Sequence, residues 1–255
     1  MENVLEIIMI PAVLAIIKIM VIILLFAMPL GTFLTLMERK WSAMIQDRVG
    51  PNRANIGNFT GHGIMHIAAD GLKSIFKEDT MPKGADGFLY LIAPFFGLIA
   101  AIATFAVIPI AGPIGNFTFQ VTDIEPGLLF IFAITSLSVY GAVLAGTSSN
   151  SKFALLGGTR ASAQMISYEV FMGLALMGVF MVYGTTRVSG IVDGQNEYWF
   201  GSLIPMWGVF TQPLGFLLFF TALVAETKRA PFDAPEGESE IVAGYFLEYS
   251  GMRWS

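Results

Sequence analysis

Gly127-Leu128-Leu129-Phe130-Ile131-Phe132-Ala133-Ile134-Thr135-Ser136-Leu137-Ser138-Val139-Tyr140-Gly141-Ala142-Val143-Leu144-Ala145-Gly146 runs for 20 residues without a charged side chain. A bilayer's hydrocarbon core of roughly 30 Å needs about 20 largely apolar residues per helix, so this stretch reads as a membrane span. Outward from it, four more stretches meet the same requirement: Ile7–Leu36, Phe88–Ala111, Ala163–Tyr183 and Leu203–Ala225. Pro29, Pro94, Pro109, Pro205 and Pro213 lie within or at the ends of these runs. Kinks there are tolerable when neighbouring helices or buried water satisfy the freed carbonyls, which places the spans in a bundle. The expected fold is all-α: one transmembrane domain over residues 1–255, with polar segments structured at the membrane surface. A sixth apolar stretch, Ile241–Leu247, is too short to cross alone, so the chain is expected to stop before its membrane domain does.

Composition agrees with that solvent. Of the 255 residues, 55% are hydrophobic and 13% charged, and the mean hydropathy is +0.69, which leaves too little polar side chain to cover a soluble domain. The chain has no cysteine, so it cannot itself hold an iron–sulfur cluster, a thiolate zinc site or a disulfide. The net charge of −5, with no gathered basic patch, gives no reason to expect nucleic-acid binding. Glu2 and Glu6 stand where a signal peptide would be positive, and the first apolar run continues beyond a signal core, so it reads as a retained helix.

The connections alternate in charge. Residues 37–87 carry seven basic side chains (Arg39, Lys40, Arg48, Arg53, Lys73, Lys77 and Lys83), residues 111–126 none, 147–162 two, 184–202 one and 226–255 three. Basic residues favour the cytoplasmic or matrix side, so the first, third and fifth connections are expected there and the N-terminus opposite.

Three polar segments could carry chemistry. In the first, Ile64, Ile67, Ala68, Leu72, Ile75 and Phe76 recur near helical spacing, with Asp70, Lys73 and Lys77 between them. That pattern predicts an amphipathic helix in the interface, either anchored on anionic lipid or walling an entrance for a lipid-like molecule. His62 and His66 lack a nearby third ligand and read as satisfied interfacial histidines rather than a metal site. Asn58-Phe59-Thr60 and Asn116-Phe117-Thr118 match the glycosylation acceptor in composition only.

The second segment is Arg160-Ala161-Ser162-Ala163-Gln164-Met165-Ile166-Ser167-Tyr168-Glu169. At about 1.5 Å per residue Glu169 lies some 12 Å along a helix from Ala161, inside the membrane. A carboxylate there either pairs with a cation, Arg160 or Lys152, or belongs to a proton or substrate path.

The third is Glu226-Thr227-Lys228-Arg229-Ala230-Pro231-Phe232-Asp233-Ala234-Pro235-Glu236-Gly237-Glu238-Ser239-Glu240, followed by Glu248 and Tyr249. Pro231 and Pro235 exclude one unbroken helix. Glu226, Asp233, Glu236, Glu238 and Glu240 face Lys228 and Arg229, a composition that fits a solvated acidic loop, a calcium site without EF-hand spacing, or a set of acids that pass protons.

Together these segments resemble a known family. Glu38-Arg39-Lys40 with Asp47–Arg53, Ala69–Asp79, the block Gly146–Glu169 and Ala225–Ser250 are similar, in order and over nearly the whole chain, to the H-subunit family of NADH-quinone oxidoreductase, which supplies the membrane quinone site of respiratory complex I. The family's mitochondrial counterpart is NADH dehydrogenase subunit 1. Related subunits of membrane-bound hydrogenases look similar elsewhere but generally lack the Glu236–Glu240 pattern. Family members normally continue with further helices, and Ala54–Ala68 is longer than the commoner loop.

The resemblance implies a subunit that forms the quinone entrance and chamber and couples quinone reduction to proton translocation, inactive as an isolated chain. By that resemblance Glu38, Arg39, Asp70 and Lys73 line the entrance, and Arg229 and Asp233 lie beneath the quinone head. Glu169, Glu226, Glu236, Glu238, Glu240 and Glu248 form the proton or coupling path. Quinone is the implied substrate, with no flavin, iron–sulfur cluster or metal on this chain. The implied partners are the soluble quinone-site and iron–sulfur subunits, the membrane pumping arm and lipid. The implied location is the bacterial inner membrane, or the mitochondrial one for an organellar chain. The physics is compatible: two carboxylates about 6 Å apart at an effective dielectric near 20 interact by roughly 2.8 kcal/mol, about two pKa units, enough to relay a change of charge. A secondary transporter would also explain acids in the membrane, but predicts transport by the isolated protein and an internal repeat, which the sequence does not show. An assembly scaffold would predict little effect from neutralising the acids.

Overall fold

The first apolar run folds as helix α1, Val13–Ile45. Pro29 has no N–H and its ring crowds the carbonyl of Leu25, and the turn just before it widens into π-helical Ile23–Ala27, with Met28 N–H bonding Ile23 O. The helix continues well past the expected end at Leu36, so Glu38, Arg39 and Lys40 sit on its last turns and not in a loop. The computed structural model describes residues 13–55, 57, 61–112, 120–199, 204–233, 235–236 and 244–251.

These residues fall into two compact units, Met1–Thr80 with Tyr249–Ser255, and Met81–Glu248. In the first, α1 is followed by α2, Met65–Phe76, the expected amphipathic helix. Its apolar side chains Leu72, Ile75 and Phe76 are exposed, with Ile64 just before it, as are Trp41, Met44 and Ile45 at the end of α1. Such a surface is stable only against lipid or protein. His66 Nε2 accepts the backbone N–H groups of Arg53 and Ala54, both at 3.1 Å. That nitrogen is therefore occupied, as expected of a satisfied histidine. Gly63, at φ 94°, leaves no room for a β-carbon against Pro51 O.

The second unit is built on α3 (Gly87–Thr104), α4 (Gly127–Ser148) and α5 (Lys152–Tyr183). With α1 these make four helices, among the described residues, that are long and apolar enough to cross a membrane. Asp86 caps α3, accepting from the N–H groups of Phe88 and Leu89 at 3.2 and 3.4 Å. Small residues bring α4 and α5 together: a β-carbon on Gly146 would lie 2.7 Å from Ala154 O, and one on Gly158 would lie 3.0 Å from Ala142 O. Close backbone approach of this kind substitutes dispersion contacts for the hydrophobic drive that lipid does not supply. At 32 residues, α5 begins eleven positions before the expected span, so Lys152 opens the helix and Arg160 lies on it.

After α5 come α6 (Val188–Gln195), a two-residue hairpin of β1 (Tyr198–Trp199) and β2 (Ile204–Pro205), α7 (Gly208–Thr211) and α8 (Pro213–Glu226). The expected span Leu203–Ala225 is thus not one helix. Gln212, at φ −142° and ψ 69°, breaks it because the residue before a proline is pushed out of the helical region, and Pro213 then starts α8. At the break the Gln212 side chain ties the chain to its neighbour, its Nε2 donating to Gly178 O on α5 at 2.5 Å.

Candidate functional site

One end of the second unit gathers most of its polar segments. Asp86 N–H bonds Ser148 O at 3.0 Å, so the start of α3 meets the α4–α5 turn. Tyr90, fully buried on α3, donates to Glu248 O at 2.7 Å. The backbone at Gly244–Tyr245 lies so close to Gly157 on α5 that a β-carbon there would sit 2.5 Å from Tyr245 N. The third and fifth connections, with the end of the first, therefore share one end of this unit, as the alternation of charge anticipated.

The segment after α8 is held on α5 by a short row of side chains. Gln164 Nε2 donates to Ala225 O at 3.2 Å and to Phe232 O at 2.7 Å. One turn on, Tyr168 meets the Phe232 ring edge-on at 5.4 Å between centroids. One further residue along α5, Glu169 accepts a hydrogen bond from Ser136 Oγ on α4 at 2.5 Å. Glu226 closes α8, and the charge of Glu169 reaches it, as does that of Lys228. Its Oε2 is buried without a hydrogen-bond partner among the described residues, a demanding environment for a carboxylate.

Beyond α8, Lys228 Nζ donates to Tyr245 Oη at 2.5 Å and lies 3.3 Å from Glu236 Oε1. Tyr245 Oη in turn is 3.3 Å from the same carboxylate oxygen. Burial disfavours the charged amine, but Tyr245 and Glu236 outweigh it and hold Lys228 above the ordinary lysine range. The cation in contact with Glu236 is thus Lys228; Arg229, the cation singled out from the sequence, is exposed, with its backbone in the helix cap. Asp233 is half-buried and its carbonyl accepts Glu236 N–H at 3.0 Å. Glu238 and Glu240 lie outside the described residues.

In the first unit, Arg39 on α1 and Asp70 on α2 form an ion pair with both side chains about half exposed, while Glu38 and Lys73 are exposed on the same two helices. A pair so open to solvent is worth roughly 0–1 kcal/mol in water, more where lipid excludes water. No set of three or more acidic or histidine side chains that could hold a metal gathers among the described residues. Sequence reasoning missed Ser136, Gln164, Tyr168 and Tyr245 as parts of this arrangement, and named Lys228 only as one of two cations facing the acids. Only helical spacing offered a hint, since Gln164 and Tyr168 lie one turn apart on α5.

The described helices form an integral membrane bundle with an acid, Glu169, on α5 and a buried acid and a lysine-clamped segment at one end, a candidate functional site of a membrane protein. The chain belongs to the NADH dehydrogenase family, whose model matches residues 17–255. It is 47% identical over 229 residues to the NADH-quinone oxidoreductase H-subunit 1 of Geobacter metallireducens. It is 46% identical over 229 residues to the H-subunit 2 of Geobacter sulfurreducens. Each alignment covers 88% of this chain and 66% of the relative, so the chain spans just under two thirds of the length of these relatives.

Proposed function

We propose that this chain is the membrane subunit of an NADH-quinone oxidoreductase that forms part of the quinone chamber and couples quinone reduction to proton translocation. The observation that carries the reading is Glu226: a carboxylate oxygen buried without a partner among the described residues, within electrostatic reach of Glu169 on the central helix and of Lys228 beyond the end of α8. A quinone taking two electrons must also take two protons, because a bare dianion in a weakly polar chamber is very costly. Acids aligned from a surface segment into the bilayer offer both a proton source and a route for the change in charge. The names of the two Geobacter relatives support the same reading. In this reading Glu38, Arg39, Asp70 and Lys73 line the entrance, and Arg229, Asp233 and Glu236 lie beneath the quinone head. Electron carriers reside on soluble partner subunits, on the face that carries the basic connections.

The test is Glu226→Gln in the assembled complex. Quinone reduction should fall while electron transfer to an artificial acceptor upstream of quinone stays near wild type. A wild-type rate of quinone reduction at matched subunit content would remove the carrying observation.

A further inference from the structure

Helix α8 ends in a cap usually built on glycine. Lys228 N–H donates to Ala225 O at 3.1 Å and Arg229 N–H to Val224 O at 3.2 Å, the paired bonds of a Schellman cap. The residue that must take the left-handed conformation is Lys228, at φ 52°. A β-carbon there is strained and glycine would relieve it, so the backbone gains nothing from a lysine at this position.

We propose that Lys228 is a positioning residue for the quinone reaction: its ammonium, held between Tyr245 and Glu236, fixes the acidic segment against α5. This deepens the proposed function and rests on it. The geometry is specific. Tyr245 is immobilised because its backbone packs on Gly157, where no β-carbon fits. The backbone beneath is equally tight, since Gly244 N–H bonds Glu236 O at 3.0 Å and a β-carbon on Gly244 would overlap Pro235 O. The Tyr245 hydroxyl has two complementary jobs, accepting from the lysine and donating to the Glu236 carboxylate. Only 14% of the Lys228 side chain is exposed, so solvent cannot replace these partners. Glu226, with an oxygen buried and unpartnered among the described residues, lies two residues earlier in the chain, so the clamp on Lys228 also fixes the backbone that follows Glu226.

Four variants of the assembled complex test this: Lys228→Gly, Lys228→Arg, Tyr245→Phe and Glu226→Gln. Lys228→Gly relaxes the cap, which offsets part of the lost ion pair with Glu236, so the complex should still assemble with wild-type subunit content. Its turnover with quinone should nevertheless fall by about tenfold, the size of one lost hydrogen bond to a charged group, with KM changed less and upstream electron transfer intact. Hydrogen exchange in the peptide covering residues 226–236 should quicken. Lys228→Arg should restore most of the turnover, and Tyr245→Phe should fall between. If Lys228→Gly reduces quinone at the wild-type rate while Glu226→Gln does not, the positioning role is overturned and the quinone-site reading stands. If both are wild type, both fall. Loss of stability and of upstream transfer together in Lys228→Gly would make the lysine a folding residue and overturn the proposal.

Discussion

Ser136 on α4 and Glu169 on α5 are joined by a 2.5 Å hydrogen bond in the interior of two membrane helices. The same hydroxyl lies 2.8 Å from Phe132 O. Its single proton is thus shared between the Glu169 carboxyl group and the Phe132 carbonyl. In the proposed function Glu169 is a member of the coupling path. Glu169→Gln keeps size and most hydrogen bonding but removes the titratable proton. In complexes of matched subunit content it should lose quinone reduction and proton pumping together, or keep some reduction with fewer protons moved per quinone. Wild-type rate and stoichiometry would take Glu169 out of the path.

Arg229→Met should lower quinone reduction by about threefold, less than Lys228→Gly, because Arg229 is an exposed residue whereas only 14% of the Lys228 side chain is exposed. The backbone N–H of Arg229 that closes the cap is kept in this variant, which isolates the side chain. Electron transfer to an upstream artificial acceptor should be unchanged; equal loss of both activities in an assembled complex would count against a quinone-site role.

Single cysteines replacing Asn52 and Glu197 should react with an impermeant thiol reagent from opposite sides of the membrane. The motive is seven basic residues in the first connection against one in the fourth. Labelling of both from one side would overturn the assigned orientation.

Gly146→Val should disrupt the α4–α5 contact, since even a β-carbon would stand 2.7 Å from Ala154 O. Overpacking of this kind costs about 1–3 kcal/mol, read as a lowered melting temperature or a loss of this chain from the purified complex. Wild-type stability would show that the two helices can separate without penalty.

Much of this arrangement was legible in the sequence, and the gaps have physical reasons. Hydropathy located α4 to within two residues, and periodicity located α2, because lipid exposure and interfacial burial act directly on residue type. Hydropathy marks where lipid ends and not where a helix ends, so Glu38–Lys40 and Lys152–Ser162 read as loops although they are helical. The break at Gln212 was foreshadowed by Pro213, but the tie from its side-chain amide to Gly178 needed the partner helix. Lys228 and Arg229 are indistinguishable as charges. What separates them is a left-handed backbone angle and a tyrosine 17 residues further along, and neither is a local property.

Two glutamines, Gln212 at the start of α8 and Gln164 on α5, act as pegs. Gln212 ties its start to Gly178 and Gln164 ties its end at Ala225, and both anchor points belong to α5. Positions 164 and 178 on α5 are 14 apart and positions 212 and 225 are 13 apart, so at roughly 1.5 Å per residue both intervals come to about 20 Å. The helix is gauged to its neighbour like a rung cut to length. It cannot slide along α5 without breaking one peg, and a rotation would carry Glu226 away from Glu169. Adding or removing one residue within α8 would therefore misalign the two carboxylates by about 100° of helical turn, even with every side chain still present.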